Sequence, residues 1–409
     1  MWFEYFFAKR IVWQNQRAVS SLVVKLAILS IALAIAVMEI SLSLVQGFET
    51  EIQRKVIGFL SHIQIGKYGF LDNMNAEVMP IKNSADFVQK IKAVPQVKSV
   101  TPYIQKWALV EAGDVLEILE LKGVDTTYDW PFFEKALKQG KLPNLKEPDE
   151  SLEILISETQ ARKLKLKVND KATILFIEDM NQLKRRPVKI SGIYNTGLEE
   201  FDAIRLFCDM RMLQNVMKWD SLSVMGFEVM LKEEKGIAGI TKQLNEVAGY
   251  EMQAKSVFEI RPEMFNWLQL QHQNSNLILG LMAIVAVINM ASVVLILIIE
   301  RTRTIGILNA LGLKQIRIIR IFLFNCLFLI LTGVVIGNIL GLSLLAIQHH
   351  FQLLKLDPEN YFLDYVPVAW VWGRFAFVNI SLVILCVLCM IFPASVILRI
   401  TPIKAIRFQ

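Results

Sequence analysis

Polar and apolar residues mix along most of this chain, but in four stretches the polar ones nearly vanish. These run from about Leu22 to Val45, Leu277 to Ile299, Ile318 to Ala346 and Phe375 to Leu398. A helix needs ~20 mostly apolar residues to cross a hydrocarbon core of ~30 Å. The pattern therefore predicts a membrane α-helical protein with four transmembrane helices, at 19–47, 277–299, 318–346 and 375–398. Residues 48–274, between the first two, have ordinary mixed composition and suffice for a folded extracytoplasmic α+β domain.

Inside that domain the periodicity alternates between 2 and 3.6 residues. His62–Ile65 reads as a strand, Ser84–Ala93 as a helix stopped by Pro95, and Val97–Ile104 as a second strand. Near the other end, Gly226–Leu231, Ile237–Val247 and Glu251–Val257 repeat the strand–helix–strand order, with Gly249 ending the helix. The two ends, 48–104 and 221–274, are expected to form one membrane-proximal α/β subdomain. The middle, 105–220, reads as an inserted β-rich subdomain with short strands at Val115–Leu121, Glu153–Ile156, Lys171–Ile177 and Pro187–Ile193.

Composition agrees with membrane insertion: 54% of the 409 residues are hydrophobic. The net charge of +6 is spread unevenly. Lys9, Arg10 and Arg17 precede the first span, Arg301, Arg303, Lys314, Arg317 and Arg320 lie between the second and third, and Arg399, Lys404 and Arg407 follow the fourth. Cytoplasmic loops carry such an excess, so both termini and the 300–317 loop are expected inside and the large domain outside. The same asymmetry accounts for the basic balance without a nucleic-acid partner. Residues 1–18, with Trp2, Phe3, Phe6, Phe7 and Trp13 among charged residues, read as an interfacial helix rather than a cleavable signal peptide. Cys208 is alone in the outer domain, so no disulfide is expected there, and Cys386 with Cys389 reads as apolar filler within a span.

Candidate chemistry is sparse. Neither Gly-Lys pair is a P-loop, because Ser61 and Lys135 stand where the motif needs its first glycine. The four histidines lack zinc spacing, and no Gly-x-Ser-x-Gly elbow occurs. Glu39 sits about two thirds along the first span, next to Met38. A carboxylate at mid-membrane costs roughly 2.5–3.5 kcal/mol on insertion scales. It must therefore face protein or a wet substrate cavity, or lie close enough to the outer interface to hydrate. Gly333, Gly337 and Gly341 recur every four residues and allow close helix packing. The segment Glu178–Arg186 reads as a hairpin tip, either a solvated turn or an arm that docks a soluble partner through Met180, Gln182 and Leu183.

Four motifs carry a resemblance. Glu300-Arg301-Thr302-Arg303-Thr304-Ile305-Gly306-Ile307-Leu308-Asn309-Ala310-Leu311-Gly312 resembles the coupling segment of FtsX/MacB-type ABC permeases. Pro393-Ala394-Ser395, followed by Thr401-Pro402-Ile403-Lys404-Ala405-Ile406-Arg407, resembles their closing signature. Gly47-Phe48 through Gly58–Ile65, and Asp357–Val368 with Tyr361-Phe362-Leu363-Asp364, are similar to stretches of the lipoprotein-releasing permeases of the LolC/LolE type. The resemblance implies an FtsX-like transmembrane domain at 275–409 and a cytoplasmic coupling helix at 300–313. On that helix Arg303, Ile305, Ile307, Leu308, Leu311 and Gly312 would meet a separate ABC ATPase dimer, with Ile305, Leu308 and Leu311 sharing an apolar face. It also implies a second permease subunit, identical or paralogous, an acylated lipoprotein substrate and a periplasmic lipoprotein carrier. No cofactor is expected in this chain, since ATP and Mg would be bound by the ATPase, and the chain itself is expected to be non-catalytic. A MacB-like efflux permease and an FtsX-like scaffold controlling cell-wall hydrolases are the alternatives. The first usually carries a fused N-terminal ATPase, and the second a smaller outer domain.

Overall fold

A computed structural model describes residues 18–69, 71, 79–179, 182–300, 302–357 and 361–394. The expected interfacial helix and the closing signature beyond residue 394 lie outside the described residues. The chain divides into two compact units. One holds the residues up to Thr50, Trp267–Leu354 and those from Val366 onward; the other holds Glu51–Asn266 and Lys355–Tyr365.

In chain order, α1 (Ala18–Leu60) leads to β1 (Ile63–Lys67), β2 (Ile81–Lys82) and α2 (Ala85–Lys92). Then come β3 (Val97–Ala112), β4 (Val115–Val124), α3 (Pro131–Ala136), β5 (Leu137–Gly140), β6 (Glu153–Ser157) and α4 (Glu158–Leu164). β7 (Lys171–Asp179), β8 (Gln182–Tyr194), α5 (Glu199–Asp202), β9 (Arg205–Asp209) and α6 (Met210–Met217) follow. β10 (Ser223–Val224), β11 (Gly226–Leu231), α7 (Ile237–Ala248), β12 (Met252–Ser256) and α8 (Val257–Ile260) complete the outer domain. Last come α9 (Pro262–Glu300), α10 (Thr302–Ala310), α11 (Gln315–Phe351) and α12 (Trp372–Ala394).

Local signals explain several of these elements. The Ser84 side chain accepts the Phe87 N–H to start α2, and Ser157 with Gln160 forms a reciprocal capping box on α4. Gly249, at φ +75°, turns the chain after α7.

The strands do not separate into two sheets at residue 104. β3 continues to Ala112, pairing with β11 along its first part and with β4 along its second. β7 then pairs with both β3 and β8, so β3, β4, β9, β6, β8 and β7 close into a ring among the described residues. The ring encloses Val110, Leu119, Leu121, Ile154, Ile156, Ile174, Phe176 and Ile190, all in one buried cluster. β12, β1 and β11 extend the sheet beyond it. A strand of sixteen residues is ~53 Å long at ~3.3 Å per residue, enough to serve both regions. The sequence boundary at 104/105 therefore falls inside a strand.

All four membrane helices are present, and those around the outer domain exceed their apolar runs. α1 continues to Leu60, past the expected end of its span. Its extension carries Ile52, Val56 and Phe59 on one buried stripe. α9 begins at Pro262, well before Leu277. Within the membrane unit, the Ser41 and Ser275 hydroxyls lie 3.2 Å apart and Asn289 Nδ2 donates to Ser30 Oγ at 2.5 Å, tying α1 to α9. α1 also meets α11 and α12, which makes it the central helix of the bundle.

Candidate functional site

The resemblance points first to α10. Gly312 closes it at φ +84°, the left-handed region that suits glycine, while Leu313 N–H reaches the Leu308 carbonyl at 3.1 Å. The expected shared face of Ile305, Leu308 and Leu311 needs correction. Ile305 is buried with Ile298, Ile318 and Phe322, and Leu308 packs on that cluster. Leu311 lies past the helix end in the glycine turn and is 78% exposed, and Ile307 is 48% exposed. Residues three apart hold α10 to the bundle, and the opposite edge is exposed. The Arg303 side chain lies outside the described residues.

The glycine stripe of α11 lies against α1. A Cβ on Gly333 would stand 2.8 Å from Ile31 Cβ, one on Gly337 2.7 Å from the Ala32 carbonyl oxygen, and one on Gly341 2.7 Å from Glu39 Oε2. Backbones approach so closely that no larger residue fits without separating the helices.

Glu39 is fully buried where α1, α11 and α12 meet. Its Oε1 accepts from Asn379 Nδ2 at 3.1 Å, and Asn338 and Asn379 exchange amide hydrogen bonds of 2.9 and 3.2 Å. Its Oε2 has no hydrogen-bond partner among the described residues. Of the locations open to it in sequence, Glu39 occupies the protein interior. Met38 is buried in the apolar cluster with Ile35, Ala286 and Met290.

The expected hairpin exists as β7 and β8, paired from Lys171↔Lys189 to Asp179↔Gln182. Met180 lies outside the described residues, as do the side chains of Gln182 and Leu183.

Sequence reasoning missed a buried ionic and aromatic nucleus in the outer domain. Arg205 pairs with Glu120 at 2.5 Å and Lys122 with Glu228 at 2.6 Å, all four nearly or wholly buried. The Arg205 guanidinium lies over the Phe59 ring at the end of α1, with 5.1 Å to the centroid. Phe59 in turn packs on Phe133, Phe201 and Phe207. Burial works to lower the Arg205 pKa, but Glu120, together with Glu228 and Tyr194, outweighs it and raises it. Burial lowers the Lys122 pKa despite Glu228. Leu119-Glu120-Leu121-Lys122 alternates apolar and charged residues, and alternation cannot reveal that the ring and α1 cover both faces.

The cysteines form no disulfide, and no three His, Cys, Asp or Glu gather as a metal site among the described residues. What the geometry supplies is a compact bundle of membrane-length helices with an exposed turn after α10 and a folded domain between its first two helices, the architecture of a polytopic membrane protein with one large domain outside the bundle.

Comparison with known proteins agrees. Residues 25–247, more than half the chain, match the MacB-like periplasmic core domain, and residues 276–402 match the FtsX-like permease C-terminal domain. The chain belongs to the ABC-transporter permeases built from these two domains, an inner-membrane protein with a periplasmic domain. It is 23% identical to the lipoprotein-releasing system transmembrane protein LolE of Haemophilus influenzae, over 97% of this chain and 98% of that one. It is 24% identical to LolC of Neisseria meningitidis, covering 95% of each chain. It is 21% identical to LolC of Xylella fastidiosa, over 94% and 93% respectively. Among solved structures, the periplasmic region of MacB from Actinobacillus actinomycetemcomitans aligns at 14% identity and TM-score 0.35, over 50% of this chain and 92% of that one.

Proposed function

We propose that this chain is the membrane subunit of an ABC transporter that extracts acylated lipoproteins from the inner membrane and passes them to a periplasmic carrier. The observation that carries the reading is similarity to lipoprotein-releasing proteins along 94–97% of the chain. ATP and Mg bind to a separate ATPase dimer, and this chain supplies the path and the lever, without catalysis of its own. Ile307 and Leu311 meet the ATPase, while Ile305 and Leu308 pass its displacement into the bundle. The glycine contacts make α11 carry α1 with it. α1 is unbroken from Ala18 to Leu60, so a shift of its membrane part travels along its axis. Both termini and α10 face the cytoplasm. A second permease copy, identical or paralogous, pairs with the second ATPase, and the β7–β8 tip at Met180, Gln182 and Leu183 docks the carrier.

The test uses spheroplasts depleted of their own lipoprotein-releasing permeases. Expression of this chain with its ATPase, alone and together with any paralogous permease of the same source, should release a labelled lipoprotein to added carrier, and an ATPase that cannot hydrolyse ATP should not support release. Drug efflux without lipoprotein release would favour the MacB-like alternative. Hydrolase activation without release would favour the FtsX-like scaffold.

A further inference from the structure

The periplasmic end of α1 and the short helix α3 enclose a cleft of about 490 Å³ within the outer domain. Its floor is apolar. The Phe132 ring lies on bare helix backbone at Gly58, where a Cβ would come within 2.4 Å of the ring. Its walls carry Arg54 and Lys55 from α1 and Lys135 from α3, against a single lining acid, Glu234.

The partners of these groups decide what the cleft attracts. Lys55 is already engaged: it donates to the Phe362 carbonyl at 3.2 Å and faces Asp364 and Asp202. Arg54 meets Glu51 through one terminal nitrogen at 2.5 Å, which leaves the rest of its guanidinium for a ligand. Lys135 is exposed and has no acceptor among the described residues. His62, buried to 6% exposure, lines the same cleft. Its Nδ1 accepts the Leu231 N–H at 3.2 Å and lies 3.0 Å from Met230 Sδ; in the tautomer that accepts the backbone N–H, the ring proton sits on Nε2 as a neutral donor. Burial, aided by Lys98, lowers the ring pKa to about 4 and keeps it neutral at physiological pH.

An Arg fork, an ammonium and an imidazole N–H lining a cleft with an aromatic floor suit an oxygen-rich anion attached to an apolar body. We propose that this cleft binds a phosphate-bearing amphiphile through Arg54, Lys135 and His62, with Phe132 against its apolar part. The inference does not rest on the lipoprotein-release reading, because the acylated cysteine of a lipoprotein carries no phosphate. Two sources share the chemistry: the headgroup of an anionic phospholipid, and a soluble phosphate ester.

The experiment titrates the full-length chain, purified in a maltoside detergent, by calorimetry. The probes are dihexanoyl phosphatidylglycerol, inorganic phosphate and an acidic peptide. Phosphatidylglycerol should saturate a single site. Lys135→Glu and Arg54→Glu should each weaken it by about tenfold or more, since each removes a charge-assisted hydrogen bond and adds a repulsive charge. Lys135→Gln, which removes the charge without reversing it, should weaken binding less and leave the melting profile unchanged, separating ligand loss from misfolding. Inorganic phosphate that displaces the lipid equally well would show that only the phosphate is held, overturning the amphiphile and leaving a site for soluble phosphate esters. Binding of the acidic peptide alone, or phosphatidylglycerol binding untouched by both charge reversals, would overturn the proposal.

Discussion

His62 stands at the joint between α1 and β1, and Asp202 at the end of α5; burial shifts their proton affinities in opposite senses. The imidazole pKa falls from 6.5 to about 4 through burial, with a smaller contribution from Lys98. The unfolded chain therefore takes up a proton that the folded chain refuses. The stability this group contributes is complete above about pH 6.5 and is lost as pH falls toward 4. The Asp202 carboxyl pKa rises from 3.8 to about 6 through burial, opposed by hydrogen bonds from Thr196. The folded chain keeps a proton that the unfolded one releases, so stability is lost as pH rises from about 4 to 6. Each effect amounts to about 3 kcal/mol at most, and in the native chain they largely cancel. His62→Gln should unmask the Asp202 effect: amides of β1 and β11 in the full-length variant should gain protection relative to wild type as pH drops from 7 to 4.5. Hydrogen exchange, corrected for intrinsic rates, reads this directly. Parallel profiles for variant and wild type would remove His62 from the acid response.

At the scale of elements, the decisive case is α10. Its amphipathic pattern was legible, but the pattern does not say which apolar residues face the parent bundle and which face a partner. The structure assigns Ile305 inward and Ile307 outward. Ile307→Asp with Leu311→Asp should leave the chain at normal membrane levels and abolish co-purification of the ATPase. Ile305→Asp places an unpaired charge in a buried cluster, at a cost on the order of several kcal/mol, and should reduce the level of the chain itself. An ATPase that stays bound to the Ile307/Leu311 double variant would take the exposed edge out of coupling. By contrast, α2 and α7 were readable almost to the residue because their boundaries are set locally, by Ser84 and by Gly249. β3 was cut short because nothing within it marks where its partner changes from β11 to β4.

For the whole molecule, the charge asymmetry around the spans makes a prediction about sidedness. Lys141→Cys should react with an impermeant maleimide from the periplasmic side, and Lys314→Cys only after permeabilisation. The native background is low, since Cys208, Cys326 and Cys386 are buried and Cys389 is half-buried. The reverse accessibility would overturn the orientation, and with it the assignment of α10 to a cytoplasmic ATPase.

The sequence alone determined the four spans, the position of the large domain between the first two, and the glycine stripe. Each depends on a period or composition that neighbouring residues establish together, and bilayer thickness or helix geometry translates it directly into structure. Only tertiary structure decided what lies across a contact. That Glu39 would meet Asn379, 340 residues away, or that Arg205 would pair with Glu120 beneath Phe59, is written in no local pattern. Burying charge is unfavourable unless a partner arrives from elsewhere in the chain, and which partner arrives depends on how the sheet closes. A closed ring of strands and a helix that outruns its span are properties of pairing between distant segments, and such pairing is settled only when the chain folds.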